Sequence, residues 1–323
     1  MKIQNFINGD FAEPISGNYF DNITPVTGEV YSQIPDSDSS DIDLAVSSAK
    51  EAFKSWSKLS KNERYDHIMH LADEIKAHFD ELVEAESKDN GKPEWLARSV
   101  DIPRASENFR FFATASLHFD SEIHEMDGKA LNYTLRQPVG VVGCISPWNL
   151  PLYLLTWKIA PALAAGNTVV AKPSEITPMT AYLFSKICQK ADFPKGVINI
   201  VHGYGHKVGD ALSRHPDVPI ISFTGGTATG EKIAAVAAPM FKKLSLEMGG
   251  KNPNIIFEDA DFDNAVKMSA KAAFSNQGQI CLCGSRLFVQ ESIYDKFRTA
   301  VIQETQTLKV GDPKDEKSNL GAV

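Results

Sequence analysis

The sequence has little of what marks a nucleic-acid-binding, membrane-spanning or disulfide-built protein. Its 33 Lys+Arg are outnumbered by 41 Asp+Glu, a formal charge of −8, and no basic run reverses this locally. A scaffold held by phosphate contacts needs the opposite balance, so no nucleic-acid partner is expected. The most apolar stretch, Leu150 to Ala165, is interrupted by Pro151, Lys158 and Pro161 and is too short to cross a bilayer. No membrane partner is expected, and Met1 to Phe6 shows no apolar signal-peptide core. The only cysteines are Cys144, Cys188, Cys281 and Cys283, too few for a disulfide framework in 323 residues. Reduced thiols in a cytoplasmic setting fit better. Cys281 and Cys283 lack a Cys or His pair at ligand spacing, so no metal site is expected. Low-complexity tracts and internal repeats are missing too.

What is present is the composition of a globular chain, 43% hydrophobic and 23% charged. Its length exceeds one ordinary core, which predicts two domains. After a short opening punctuated by Gly and Pro, apolar spacing predicts helices over Asp41–Ser57, Asn62–Lys88 and Glu94–Ala113. From Val139 the texture changes. Buried-strand runs at 139–145, 168–171, 197–201, 220–223 and 243–246 alternate with helices at 152–164, 178–191, 207–213 and 229–238. That alternation means βαβ units and a parallel sheet. Gly249-Gly250 breaks the series, and a second one begins at Asn254: strand, helix 262–275, strand 287–290, helix 292–308. Two strands are fewer than a stable α/β domain usually has.

Two glycine runs follow strands. Gly203-Tyr204-Gly205-His206-Lys207-Val208-Gly209 is one residue too long for a dinucleotide fingerprint and reads as a plain turn. Phe223-Thr224-Gly225-Gly226-Thr227-Ala228-Thr229-Gly230 sits between a strand and a helix, where bare N–H groups suit a pyrophosphate. Four polar residues end strands or lie in the adjoining loops: Asn149, Lys172, Glu247 and Cys281. An amide at Asn149 could donate to an oxyanion. Glu247 is either paired structurally or kept as a general base. Cys281 is either a small buried hydrophobe or a nucleophile with access and a setting that favours its thiolate. Arg104 and Arg110 read, on periodicity alone, as a solvated helix face.

The segments PWNLP, AGNTVVAKPSE, FTGGTATG, LEMGGKNP and FSNQGQICLCGSR follow one another in an order and spacing that resembles the aldehyde dehydrogenase superfamily, from about Phe6 to the chain's end. AESKDNGK, VDIPRASENFRFFA and ISPWNLPLYLLTWKIAPALAAGNTV are most similar to its 2-aminomuconic and 2-hydroxymuconic semialdehyde dehydrogenases. The resemblance implies a Rossmann-like parallel-sheet NAD-binding domain (1–115 and 138–249), bridging or oligomerisation strands (116–137), and the start of a second α/β catalytic domain (250–323). It implies Cys281 as nucleophile, Glu247 as base and Asn149 as oxyanion amide. Cofactor contacts fall on Ser146, Trp148, Lys172, Glu175, Gly205, Phe223, Gly225, Gly226 and Gly230. Arg104 falls where the subgroup holds a substrate carboxylate, with an ion pair to Asp101 or Glu107 as its alternative. Glu175, beside the adenosine ribose in the family, implies NAD rather than NADP. The implied reaction oxidises an aldehyde through a thioester, in a homodimer or homotetramer.

Departures accompany the likeness. Gly226 stands where the family often has Ser, and Cys283 is an extra thiol near the nucleophile. No E-x-F-G-P segment appears, although in the family it follows the nucleophile and its Glu holds the nicotinamide ribose. A C-terminally truncated or incomplete chain is the resulting expectation. Two other function classes stand beside the dehydrogenase: a cofactor-independent thiol esterase, which has no use for Lys172, Glu175 and Gly225, and a fragment that binds only nucleotide or partner chains.

Overall fold

In the computed structural model, which describes residues 1–322, the opening residues already form strands. β1 (Asn5–Ile7) pairs antiparallel with β2 (Asp10–Ala12), and β3 (Tyr19–Ile23) with β4 (Val30–Pro35). Asn8 and Gly9 link the first pair with φ of 56° and 82°, the left-handed geometry of a two-residue hairpin turn. The sequence reading assigned no element to this Gly- and Pro-punctuated opening, so all four strands are additions to it.

Three helices follow: α1 (Ser39–Trp56), α2 (Lys61–Ala77) and α3 (Phe79–Asn90). Reciprocal side-chain caps start the first two, Asp38 with Asp41 and Ser60 with Glu63. The single helix expected over 62–88 breaks at His78 (φ −102°, ψ 25°). The next helix is also interrupted. α4 (Glu94–Leu96) passes through a π-type turn at Ala97–Asp101 into α5 (Ile102–Leu117). Pro103 has no N–H to give the preceding turn, which accounts for the loosened pitch. β5 (Ile123–Met126) and β6 (Ala130–Tyr133) then form an antiparallel hairpin exposed along its whole length.

The main sheet comes from the alternating region. β7 (Val141–Ile145), α6 (Pro151–Ala164), β8 (Thr168–Lys172), α7 (Met179–Lys190), β9 (Ile198–Ile200), α8 (Asp210–Arg214), β10 (Ile220–Gly225), α9 (Thr227–Ala237) and β11 (Lys243–Met248) follow in order. The sheet runs β11-β10-β7-β8-β9-β1-β2. β7 to β11 are parallel as expected, whereas β1 and β2 extend the sheet antiparallel beyond β9. β11, expected as a buried strand, is the sheet's edge and is half-exposed.

Helices cover both faces. On one, Ile68, Leu71, Phe109, Leu155 and Phe184 pack into the larger core; on the other, Ile42, Val46, Leu212 and Ile221 pack under α1 and α8. Emptying such a position, as in Phe184→Ala, costs about 3–5 kcal/mol.

The last segment is β12 (Pro253–Ile256), α10 (Phe262–Phe274), β13 (Arg286–Val289) and α11 (Tyr294–Gln306). Its two strands are parallel, and its core of Ile256, Val266 and Phe297 is a separate cluster. Among the described residues, no helix is long and apolar enough to cross a membrane.

Candidate functional site

Apart from Arg104, Arg110 and Cys281, the residues singled out in the sequence lie along one edge of the main sheet. Parallel register lines up Phe223, Ile145 and Lys172 on β10, β7 and β8, and sets Glu247 of β11 opposite Thr224. Each strand's chain leaves the sheet at this level, so Ser146–Asn149, Glu175, His202–Gly205 and Gly226 all begin at its carboxyl edge. Open α/β sheets bind their ligands there.

Lys172 and Glu175 form an ion pair. Burial lowers the Lys172 pKa, with Glu175 opposing. Burial would raise that of Glu175, but Lys172 and the Gly205 N–H outweigh it and hold the carboxyl below its usual range. Gly205 N–H donates to Glu175 Oε1 at 3.1 Å. The Gly203–Gly209 run, expected as a plain turn, is therefore a π-type turn docked on a strand-end carboxylate. His202, fully buried behind it, is pushed down to about 3 by burial and by Lys172, so its ring stays neutral. Ser146 Oγ is buried and has no partner among the described residues. Trp148 is 37% exposed.

Beside this cluster, close packing requires two glycines. A Cβ on Gly225 would lie 2.5 Å from the Phe223 ring, and one on Gly230 would lie 2.6 Å from Met248 Sδ. Gly226 differs. It is the N-cap of α9, makes no side-chain cap, and a Cβ there would meet nothing within 4 Å. The helix N-terminus is left open to an anion.

Asn149 joins this edge to the cysteine loop. Its Nδ2 donates to Gln279 O at 2.7 Å, while its own carbonyl accepts from Asn276 Nδ2 (3.0 Å) and Lys92 Nζ (3.1 Å). Asn276, Gln277 and Gly278 are all left-handed, with φ of 51°, 57° and 76°. Such a run is costly for Asn and Gln, and surrounding bonds hold it. Asn252 Nδ2 anchors the far side through Cys281 O (2.7 Å) and Cys283 O (3.1 Å). Of the four thiols, only Cys281 is exposed. A primary amide carries two N–H groups, so Asn149 keeps one after binding Gln279 O.

Glu247 is exposed and makes no ion pair among the described residues. Its charge reaches Lys158 on α6, whose pKa burial lowers while Cys144 and Glu247 oppose. Arg104 is exposed, with its guanidinium 5.8 Å from the Tyr153 ring centroid. The proposed pairing with Asp101 is corrected, since Asp101 bonds Lys92 at 2.9 Å, and Glu107 makes no pair with Arg104 either. Arg110 pairs with Asp73, a surface ion pair as its helix-face reading expects. Sequence reasoning missed Lys92, Lys158 and Asn276. Lys158 had a signal, a lone charge in an apolar helix; Lys92 looked like an ordinary residue after a helix stop.

The model of the aldehyde dehydrogenase family matches residues 11–323. Human 2-aminomuconic semialdehyde dehydrogenase is 53% identical over 324 residues, covering 100% of this chain and 66% of the relative. The 2-hydroxymuconic semialdehyde dehydrogenase of Pseudomonas sp. (strain CF600) is 45% identical over 328 residues, covering 100% of this chain and 68% of that one. The NAD+ complex of an aldehyde dehydrogenase from Bacillus cereus superposes with a TM-score of 0.97 at 39% identity, over 99% of this chain and 66% of that one. The chain thus spans about two thirds of the length of the relatives it matches.

Proposed function

The chain belongs to the aldehyde dehydrogenase family, and on that premise we propose that it serves NAD-dependent oxidation of a muconic-type semialdehyde to the carboxylate. The observation that carries this reading is the hydrogen bond from Asn149 Nδ2 to Gln279 O, which ties an amide at the sheet's carboxyl edge to the loop of the one exposed thiol. Cys281 thiolate adds to the aldehyde carbon, and the remaining Asn149 N–H donates to the oxygen as it becomes an anion. Bound at the neighbouring edge, a nicotinamide supplies the hydride acceptor. Oxidation leaves a thioester on Cys281. Glu247 takes a proton from the water that hydrolyses it, releasing the acid and the thiol.

The residues present fit that cofactor. The open N-terminus of α9, with no side-chain cap at Gly226, suits a pyrophosphate. Lys172, Glu175 and the Gly205 turn suit an adenosine ribose, with Ser146, Trp148, Phe223, Gly225 and Gly230 shaping the edge around them. We assign residues 1–115 and 138–249 to cofactor binding and 250–323 to the catalytic part. The exposed hairpin, with Ile123, Leu131 and Tyr133 all more than 60% accessible, fits contact between copies. A cytoplasmic setting fits four free thiols.

Arg104 fits a substrate carboxylate because it is exposed and has no acidic partner among the described residues. Comparing NADH formation from a carboxylated semialdehyde and from hexanal tests the whole reading. Arg104→Ala is expected to lower kcat/KM for the first by about tenfold or more and leave the second nearly unchanged. Equal losses on both substrates, or none, would remove Arg104 from the site. Ester hydrolysis without NADH formation from any aldehyde would favour the cofactor-independent thiol esterase.

Glu175 supplies a further expected result. NAD binds more tightly than NADP in the parent, because a carboxylate at the ribose repels the added phosphate. Glu175→Gln leaves Lys172 without its counter-charge, and the gap narrows on the order of tenfold in titrations of each nucleotide. Equal parental affinities would contradict the assignment.

A further inference from the structure

Beneath Asn149 lies a buried charge cluster that the proposed chemistry does not use. Lys92 follows Gly91, the left-handed residue that ends α3 (φ 80°), and is fully buried. Its Nζ lies 2.9 Å from Asp101 Oδ2, 3.7 Å from Glu86 Oε1 and 3.1 Å from the Asn149 carbonyl oxygen. Both carboxylates are as buried as the lysine. Burial raises the pKa of each, with Lys92 opposing.

Burying three ionisable groups costs several kcal/mol each, and apolar residues of similar volume often serve stability as well. A role in folding alone therefore explains this cluster poorly. What it does locally is specific. One ammonium N–H goes to Asp101, and another goes to a main-chain carbonyl rather than to a second carboxylate at bonding distance. The preceding carbonyl, Trp148 O, accepts from Asn90 Nδ2 (3.0 Å) and Thr177 Oγ1 (3.3 Å). Two consecutive peptide planes are thus gripped by the end of α3, while Asn276 holds Asn149 O from the cysteine loop.

We infer that Lys92 is a positioning residue for acyl transfer: by pinning the Asn149 carbonyl between Asp101 and the cysteine loop, it fixes the backbone that presents the Asn149 amide to Cys281. The inference rests on the roles given above to Cys281 and Asn149. A loosened carbonyl lets that peptide plane rotate, and misplacement by about an ångström at an oxyanion donor costs up to roughly 10²-fold.

The test compares two reactions of Cys281 in the 323-residue chain. With p-nitrophenyl acetate, an S–C bond forms through an oxyanion and p-nitrophenolate leaves. With iodoacetamide, an S–C bond forms as iodide leaves, and no oxyanion arises. Asn149→Ala, Lys92→Met, Lys92→Arg and Asp101→Asn are measured in both. Lys92→Met is expected to slow acylation by about ten- to a hundredfold with alkylation nearly unchanged. Asp101→Asn should do so more mildly, and Lys92→Arg should recover part of the loss. If Lys92→Met does not fold, Asp101→Asn decides by the same comparison. Equal slowing of both reactions, or of neither, while Asn149→Ala slows acylation, overturns the positioning role alone. Unchanged acylation in Asn149→Ala overturns the oxyanion assignment and the inference with it.

Discussion

On the proposed roles, Cys281→Ala is expected to remove dehydrogenation and ester turnover together, by on the order of 10⁴-fold or more, because both would begin with the same thiolate. Cys283→Ala leaves both within a few-fold of the parent. The distinction follows from where four thiols sit. Burial pushes Cys144 up to about 12 and Cys188 further, so neither supplies thiolate near neutral pH. Cys283 is buried, and its backbone N–H is bonded to Ile280 O at 3.1 Å. Only Cys281 is exposed. Mass mapping after brief iodoacetamide treatment should find label on Cys281 first. Turnover lost in Cys283→Ala but kept in Cys281→Ala would reverse the assignment.

Glu247→Gln is expected to split the reaction instead of abolishing it. Thioester formation needs the thiol, the oxyanion amide and the hydride acceptor; hydrolysis alone needs a proton acceptor for water. The variant should give a burst of NADH close to one per site, followed by a steady state about 10²–10⁴-fold slower. Glu247 suits this task because it stands on the exposed edge strand, free of any ion pair among the described residues, with Lys158 as the nearby buried cation. A variant with no burst would instead give Glu247 a part in forming the thioester or in holding the sheet edge.

The alternating half of the fold was legible because strand and helix periods switch cleanly after Val139. β7 and β8 are short buried runs rich in β-branched residues, and their ends carry Asn149 and Lys172 within a few residues. The N-terminal strands were not read, although Phe6-Ile7-Asn8-Gly9-Asp10-Phe11 holds a hairpin signal. Three-residue strands are too short to show a period, and partners such as Ile200 lie far away in sequence. The exposure of β11 was hidden for a similar reason: its composition suits a buried strand, and only the strand order makes it an edge. Periodicity placed Arg104 on a solvated face, and the structure agrees that it is exposed; its assignment to substrate came from resemblance alone. Lys92 was illegible because its burial is created by partners on α3, the π-type turn before α5 and the loop after β7.

The bonds at Asn149 also bear on the order in which the molecule becomes useful. They reach back 57 residues to Lys92 and forward 127 and 130 residues to Asn276 and Gln279. On the ribosome, where earlier segments emerge and fold first, the backward grip can close while the cysteine loop is still unmade. The amide is then seated and waiting. Cys281 is added only after the whole parallel sheet has been synthesised, so on the proposed assignment a growing chain carries no nucleophile while that sheet is still being made.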